Sequence, residues 1–329
     1  MNQVYVCSSY FHIYISILRT LYLREPASKT LIVINDHIPD LSNIIRLLNE
    51  NNFFDFHLAM PLTSVYREKR SKLSKILTRN NSLVERVDSV SGITAFEDFI
   101  RDAEINIFNN RGGAYTYFLL KFKGSYIRLI EDGLGNYQSL IGRFKVFKRK
   151  YLLSTIVGAG LDKQVKEILV QFPEKVIEPL KKKARKLDVQ HMQESLSATD
   201  RKRILKIFLR DYMPDLSGER KLILVTQPFS EERYFDEDTK INLYNDVLSD
   251  YIGNYKIFIK PHPRELTDYR GKMKVDFTEI PRDFPLEMMN LLQDIEFDIG
   301  ITLYSGALNN INRVKKKIML GKQMLDRYK

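Results

Sequence analysis

Short β-branched runs alternate with helical stretches along most of this chain, and that alternation limits the possible folds more than any other feature. The series opens "QVYVCSS", "YFHIYISILRTLYL", "KTLIVIND", "LSNIIRLLNE", "FFDFHLAM" and continues through "FEDFIRDAEI", "NIFNN", "AYTYFLLKF" and "YIRLIED". Strands separated by helices are not joined by tight hairpins, so neighbouring strands run parallel and the helices cover the sheet faces. A doubly wound α/β domain is expected over residues 1–155. From about Lys163 to Met213 the strand signal fades into charged, helical text, with Ser197 or Thr199 placed to start a helix. That predicts a helical connector over 156–215. Alternation resumes at "KLILVTQP" and runs through "YKIFIKPHP", "KVDFTEIP", the helical patterns "PLEMMNLLQDI" and "GALNNINRV", "FDIGITLYS" and "KKIML". A second, smaller Rossmann-like domain is expected over 216–329.

Composition excludes several classes. A chain of 329 residues can bury two cores, and 44% hydrophobic with 28% charged residues is ordinary for a folded protein, which argues against wholesale disorder or a fibrous repeat. The single cysteine, Cys7, rules out an internal disulfide framework and a cysteine-rich zinc site. The stretch "MNQVYVCSSYFHIYISILRTLYLREP" has no basic leader and no small-residue cleavage site, so it reads as strand then helix. No segment reaches the roughly 20 apolar residues of a spanning helix, and a cytoplasmic location is expected. A net charge of +11 points to an anionic partner: nucleic acid, a phosphorylated substrate or the inner face of a membrane. The clusters "VYREKRSKLSKILTR", "GRFKVFKRKY", "EPLKKKARK" and "NRVKKKI" each read as solvated faces with some peripheral membrane attraction. Tyr and Phe, 18 and 19 of them, lie mostly in apolar strands and helices, so nucleic-acid binding is not expected.

In open α/β sheets ligands bind beyond the carboxyl ends of the strands. Unusual polar groups fall at such positions: Ser8 and Ser9, Glu131-Asp132-Gly133, Gln227-Pro228, Lys260-Pro261-His262-Pro263, and Tyr304-Ser305-Gly306. In "IFIKPHPRE" two prolines stiffen the backbone around His262, while Lys260 and Arg264 make a cationic corner suited to phosphate. A rigid strand-exit turn is the plainer alternative. Glu131 and Asp132 read alone as acids of a surface turn, yet a carboxylate at a strand end can take a proton from a hydroxyl nucleophile. "LYSGALNN" reads as a strand entering a helix N-terminus, with Ser305 as cap or anion ligand. Pro285 and Glu287 open a helix whose glutamate complements the dipole or holds a ribose. His12 follows the first strand, within reach of an acceptor. Asp236-Glu237-Asp238 has the D-x-D spacing of metal-dependent sugar transferases, but its place before "KINLYNDVL" favours helix capping, and no metal is expected. "GAGLDK" follows no clear strand and makes no phosphate loop.

The acidic pair before glycine, the His-Pro motif and the serine motif together resemble those of bacterial sialyltransferases. In order along the chain, "VYVCSSYFHIYISIL", "IEDGLGNY", "TQPFSEE", "IKPHPRE", "FPLEMM" and "ITLYSGALNNI" are most similar to glycosyltransferase family 52, the lipooligosaccharide and capsule sialyltransferases. The resemblance implies a GT-B-type fold, two Rossmann-like domains facing a central cleft, with CMP-sialic acid as donor and inversion without a metal or cofactor. It implies Glu131 or Asp132 as the base, and His262 as the group that stabilises the departing CMP phosphate. Lys260, Pro263, Arg264, Ser305 and Gly306 fall on the donor side, Glu287 near the cytidine ribose, and Ser8, Ser9, His12 and Gly133 on the acceptor side. Ser305-Gly306 stands where the family's serine motif has two adjacent hydroxyl residues. The implied acceptor is a galactose-terminated, lipid-linked capsule or lipooligosaccharide glycan, which keeps the chain near the inner membrane surface; a homodimer is compatible with this. Two rivals remain: a related transferase using a UDP-hexose, and a non-catalytic basic module that binds nucleic acid or a phosphorylated polymer.

Overall fold

The computed structural model of the chain describes residues 1–36, 38–67, 81–132, 137, 156–209, 215–292 and 295–328. It divides into two units, Met1–Asp200 and Arg201–Lys329.

In the first unit seven parallel strands form one sheet in the order β3-β2-β1-β4-β5-β6-β7. They are β1 (Gln3–Cys7), β2 (Thr30–Asn35), β3 (Phe56–Met60), β4 (Glu104–Ile107), β5 (Tyr126–Ile130), β6 (Val165–Val170) and β7 (Ala184–Lys186). Strands β1 and β2 are buried along their whole length, as expected of parallel strands covered on both faces. The helices are α1 (Tyr10–Tyr22), α2 (Leu41–Glu50), α3 (Leu62–Arg67), α4 (Asn81–Ser91), α5 (Glu97–Arg101), α6 (Gly113–Lys121) and α7 (Val189–Glu194). Helix α1 starts at Ser9, whose hydroxyl accepts the His12 N–H at 3.2 Å. The core gathers Val4, Val33, Ile105, Phe118, Ile127 and Ile168 from strands and covering helices. Strand order reverses between β1 and β4, where open α/β sheets form their ligand crevice.

The stretch expected to be a helical connector instead carries β6 and β7, which complete the first sheet. Charge hid the strand: in "VKEILV", Glu167 lies opposite Arg128 of β5 and accepts its Nε–H at 3.0 Å, so these residues are a cross-strand pair and not a helix face. Strand β7 is the sheet edge, and its exposed Arg185 and Lys186 are the charges that blunt such edges.

Helix α8 (Ala198–Leu209) spans the division between the units, and Ser197 Oγ accepts the Asp200 N–H at 3.0 Å. The second unit has a five-stranded parallel sheet, β10-β9-β8-β11-β12. Its strands are β8 (Lys221–Val225), β9 (Lys256–Lys260), β10 (Phe277–Glu279), β11 (Phe297–Thr302) and β12 (Val314–Met319), with α9 (Glu237–Leu248) packed on it. Here the order reverses between β8 and β11. Leu286–Leu291 and Gly306–Asn310, expected as α-helices, are 3₁₀ turns of six and five residues. Both are closed by i→i+3 bonds, among them the Met288 N–H to Pro285 O at 3.0 Å and the Ile311 N–H to Leu308 O at 3.4 Å. Among the described residues no helix is long and apolar enough to cross a membrane.

Candidate active site

Beyond the carboxyl ends of β1, β2, β4 and β5 the first unit collects Ser8, His12, Asn35, Asn109 and Asp132. His12 Nδ1 accepts the Ser8 backbone N–H at 3.0 Å, and an amide nitrogen can only donate. The ring hydrogen therefore sits on Nε2, which donates to Asp132 Oδ1 at 2.6 Å. His12 is 1% exposed and stacks on Phe108 with ring centroids 4.4 Å apart, so burial and packing fix the direction of that bond. The Asp132 side chain is 39% exposed. Its Oδ2 accepts from Asn109 Nδ2 at 3.4 Å, Asn109 Oδ1 accepts from Ser8 Oγ at 2.5 Å, and Ser8 Oγ accepts from Asn35 Nδ2. The product is an exposed carboxylate whose orientation is set by a neutral imidazole and an amide.

Glu131, its chain neighbour, is placed differently. The Glu131 N–H extends the sheet ladder to Leu169 O at 2.9 Å, and its carboxylate is buried. It accepts from Tyr137 OH at 2.7 Å, from the Gln171 N–H at 2.6 Å and from Gln171 Nε2 at 3.3 Å. Burial pushes its carboxyl above the usual range, against those hydrogen bonds. The described partners make Glu131 a tie between the end of β5 and the loop after β6. Ser9 is occupied as the α1 cap. Gly133 lies outside the described residues.

In the second unit the loop after β9 is held from several sides. His262 Nδ1 accepts the Arg264 N–H at 3.1 Å, so its hydrogen too lies on Nε2. Burial, then the Arg264 and Lys260 charges, lower its pKa to about 4, and near neutral pH it is an uncharged N–H donor. Glu265 Oε2 accepts from the His262 N–H at 3.3 Å, Thr226 Oγ1 at 2.7 Å and Tyr269 OH at 3.1 Å. Glu231 accepts the Leu266 N–H at 2.6 Å and the Thr267 N–H at 3.3 Å. Lys240 of α9, fully buried, reaches Glu231 at 3.1 Å, Glu265 at 3.4 Å and Thr267 Oγ1 at 3.0 Å. Arg282 closes the loop by donating to Glu265 O at 2.7 Å and Thr267 O at 2.5 Å.

Lys260, expected on the donor side, is buried, and its ammonium donates to Pro261 O at 2.8 Å and Arg282 O at 3.0 Å. That burial lowers its pKa to about 8. Its charge is engaged inside the loop. Arg264 is 68% exposed, beside Glu232 at 2.8 Å, and Pro263 is exposed. Ser305 Oγ accepts the Ala307 N–H at 3.3 Å and caps the 3₁₀ turn that Gly306 opens, so any dipole there comes from a single turn. Buried Glu287 meets that turn through Asn310 Nδ2 at 3.4 Å. Asp236 caps α9 by accepting the Thr239 N–H at 2.8 Å, and Glu237 pairs with Lys272 at 3.1 Å. Sequence reading missed Asn35, which closes β2 in "IND", and Asn109, two residues past β4 in "FNN", and it missed Lys240, which nothing in "DTKINLY" distinguishes from a surface lysine.

The model of the family described as Glycosyltransferase family 52 matches residues 86–323, more than half of the chain. The chain belongs to glycosyltransferase family 52. Its match takes in the acidic pair, the His-Pro loop and the serine turn. A curated relative from Haemophilus influenzae strain Rd, described as an uncharacterized protein, is 33% identical over 196 residues. Those residues are 58% of this chain and 61% of that relative, so the chain matches less than two thirds of the relative's length. Among solved structures, a sialyltransferase from Photobacterium damsela is similar with a TM-score of 0.52 at 13% identity, over 97% of this chain and 74% of its own. A UDP-GlcNAc 2-epimerase from Neisseria meningitidis, bound to UDP-GlcNAc, is similar with a TM-score of 0.50 at 13% identity, over 94% of this chain and 79% of its own. At such identities the likeness is one of fold: for this family 52 chain, GT-B-type α/β with two parallel, Rossmann-like sheets.

Proposed function

We propose that this family 52 chain is an inverting, metal-independent sialyltransferase that moves sialic acid from CMP-sialic acid to a galactose hydroxyl of a bacterial capsule or lipooligosaccharide glycan. The observation that carries the reading is the His12–Asp132 pair, an exposed carboxylate held by a buried neutral imidazole at the strand ends of the first sheet. Asp132 takes the acceptor hydroxyl proton as that oxygen bonds to the anomeric carbon of the sialyl group. The bond from that carbon to the CMP phosphate breaks on the opposite side, and the phosphate leaves with the electron pair. His262 Nε2–H and the exposed Arg264 stabilise the charge it gains. A phosphate leaving group with positioned donors needs no metal, and the transition state has oxocarbenium character. Ser305 and Gly306 add donors on the phosphate side, and Glu287 holds the ribose. The protein acts at the cytoplasmic face of the membrane on a lipid-linked acceptor.

The test offers purified protein a galactose-terminated acceptor with CMP-sialic acid or with UDP-hexoses, each with and without EDTA. Acceptor-dependent CMP release, unchanged by EDTA, is expected. Turnover of a UDP-hexose alone would move the donor assignment, and loss of CMP release in EDTA would sink metal independence.

A further inference from the structure

A hollow of about 270 Å³ opens at the switch point of the first sheet, between the ends of β1, β2 and β4 and the start of α6. Ser8, Asn35, Thr63, Asn109 and Arg111 supply its polar lining, and among the described residues no carboxylate lines it. Two independent features point to what it takes.

The first is Asn35. It is 1% exposed, its amide N–H donates to Ser8, and its Oδ1 has no hydrogen-bond partner among the described residues. A buried carbonyl oxygen left unpaired is costly, so this one is built to receive a hydrogen, as from a ligand hydroxyl. The second is the start of α6. Gly112 precedes the helix at φ 95° and ψ −168°, no side chain caps the helix, and its first turn has no acidic residue. A Cβ at Gly112 would meet nothing within 4 Å, so glycine is there for the backbone conformation and not for packing. The first N–H groups of α6 border the hollow through Gly113 and Ala114, beside the exposed guanidinium of Arg111. This end attracts an anion.

We infer that the hollow is an acceptor subsite for an acidic sugar, with a ring hydroxyl donating to Asn35 Oδ1 and a carboxylate or phosphate held by Arg111 and the α6 N-terminus. The inference rests on the acceptor side lying in the first unit, and it adds to that reading a preference for an anionic acceptor. The hollow is linked to Asp132 by hydrogen bonds through Ser8 and Asn109, which places one side chain between a sugar seated there and the carboxylate assigned as base.

The experiment is direct binding to the full chain without donor, by calorimetry or saturation-transfer NMR. The probes are methyl galactoside, methyl galacturonide, galactose 6-phosphate and inorganic phosphate. At least one acidic sugar is expected to bind roughly tenfold or more tightly than the neutral galactoside, the gain from one charge-assisted contact. The carboxylate and phosphate arms identify which anion is preferred. Arg111→Gln, at an exposed position, should erase that preference, and Asn35→Ala, checked for an unchanged melting curve, should weaken all sugars. Equal binding of neutral and acidic sugars, a preference that survives Arg111→Gln, or inorganic phosphate binding as tightly as galactose 6-phosphate would overturn the assignment. No turnover is measured, so a chain that selects acidic sugars yet releases no CMP keeps the subsite and loses sialyl transfer. A chain that sialylates neutral acceptors without any selectivity loses only the subsite.

Discussion

Glu131 and Asp132 share a strand end, a charge and a motif, and the fold still separates their surroundings. The Glu131 carboxylate enters the interior to meet Gln171, while the Asp132 side chain reaches the strand-end surface. Asp132→Asn is expected to lower kcat by about 10² to 10⁴, the range for loss of a positioned base, with the melting temperature nearly unchanged. Glu131→Ala should instead cost about 1–3 kcal/mol of stability by stranding the Gln171 N–H. Denaturant titrations beside initial rates check both, and the two variants showing the same profile would refute the division. His262 carries a pH signature. Its folded value of about 4 lies below the ordinary 6.5, so as pH falls through that window the unfolded chain takes the proton first. The stability contributed is present above about pH 6.5 and lost as pH approaches 4. Urea midpoints of His262→Gln should therefore fall less steeply than those of the native chain across that interval.

The elements that aim these residues are legible in sequence to different degrees. Strands β1, β2, β8 and β9 announce themselves because burial on both faces demands apolar runs. Strand β6 is silent because its cross-strand ion pair looks like helical charge patterning. The loop after β9 reads as rigid from its prolines, but its firmness comes equally from Glu231, Glu265 and Lys240. Lys240→Met should cost about 3–5 kcal/mol, since it leaves two acids near a vanished cation. Thermal unfolding measures this; a loss under 1 kcal/mol would show that the cluster adds little. Strand β11 offers a second check at Gly300, where a Cβ would lie 2.8 Å from Leu308 Cδ1 and 2.9 Å from Val314 Cγ1. Gly300→Ala is expected to destabilise by about 1–3 kcal/mol through overpacking and to disturb the Gly306–Asn310 turn that Leu308 anchors.

For the molecule as a whole, net charge carries the prediction. With a net charge of +11, the protein is expected to sediment with vesicles rich in anionic lipid, to ignore neutral vesicles, and to be released by about 0.5 M salt, as screening shortens electrostatic reach. Binding to neutral vesicles that resists salt would contradict a purely electrostatic attachment. Two Rossmann-like halves, the strand-end placement of the acids and His262, and the order of family motifs could all be read from local pattern. Period and turn chemistry are properties of neighbouring residues, and parallel sheets leave few topologies open. Which acid stays exposed, why Lys260 turns inward, and that Asn35, Asn109 and Asp132 meet at all depended on partners far away in the chain. Burial and hydrogen-bond pairing are set by those partners: Gln171 claims Glu131 from 40 positions away, and His12 reaches Asp132 across 120.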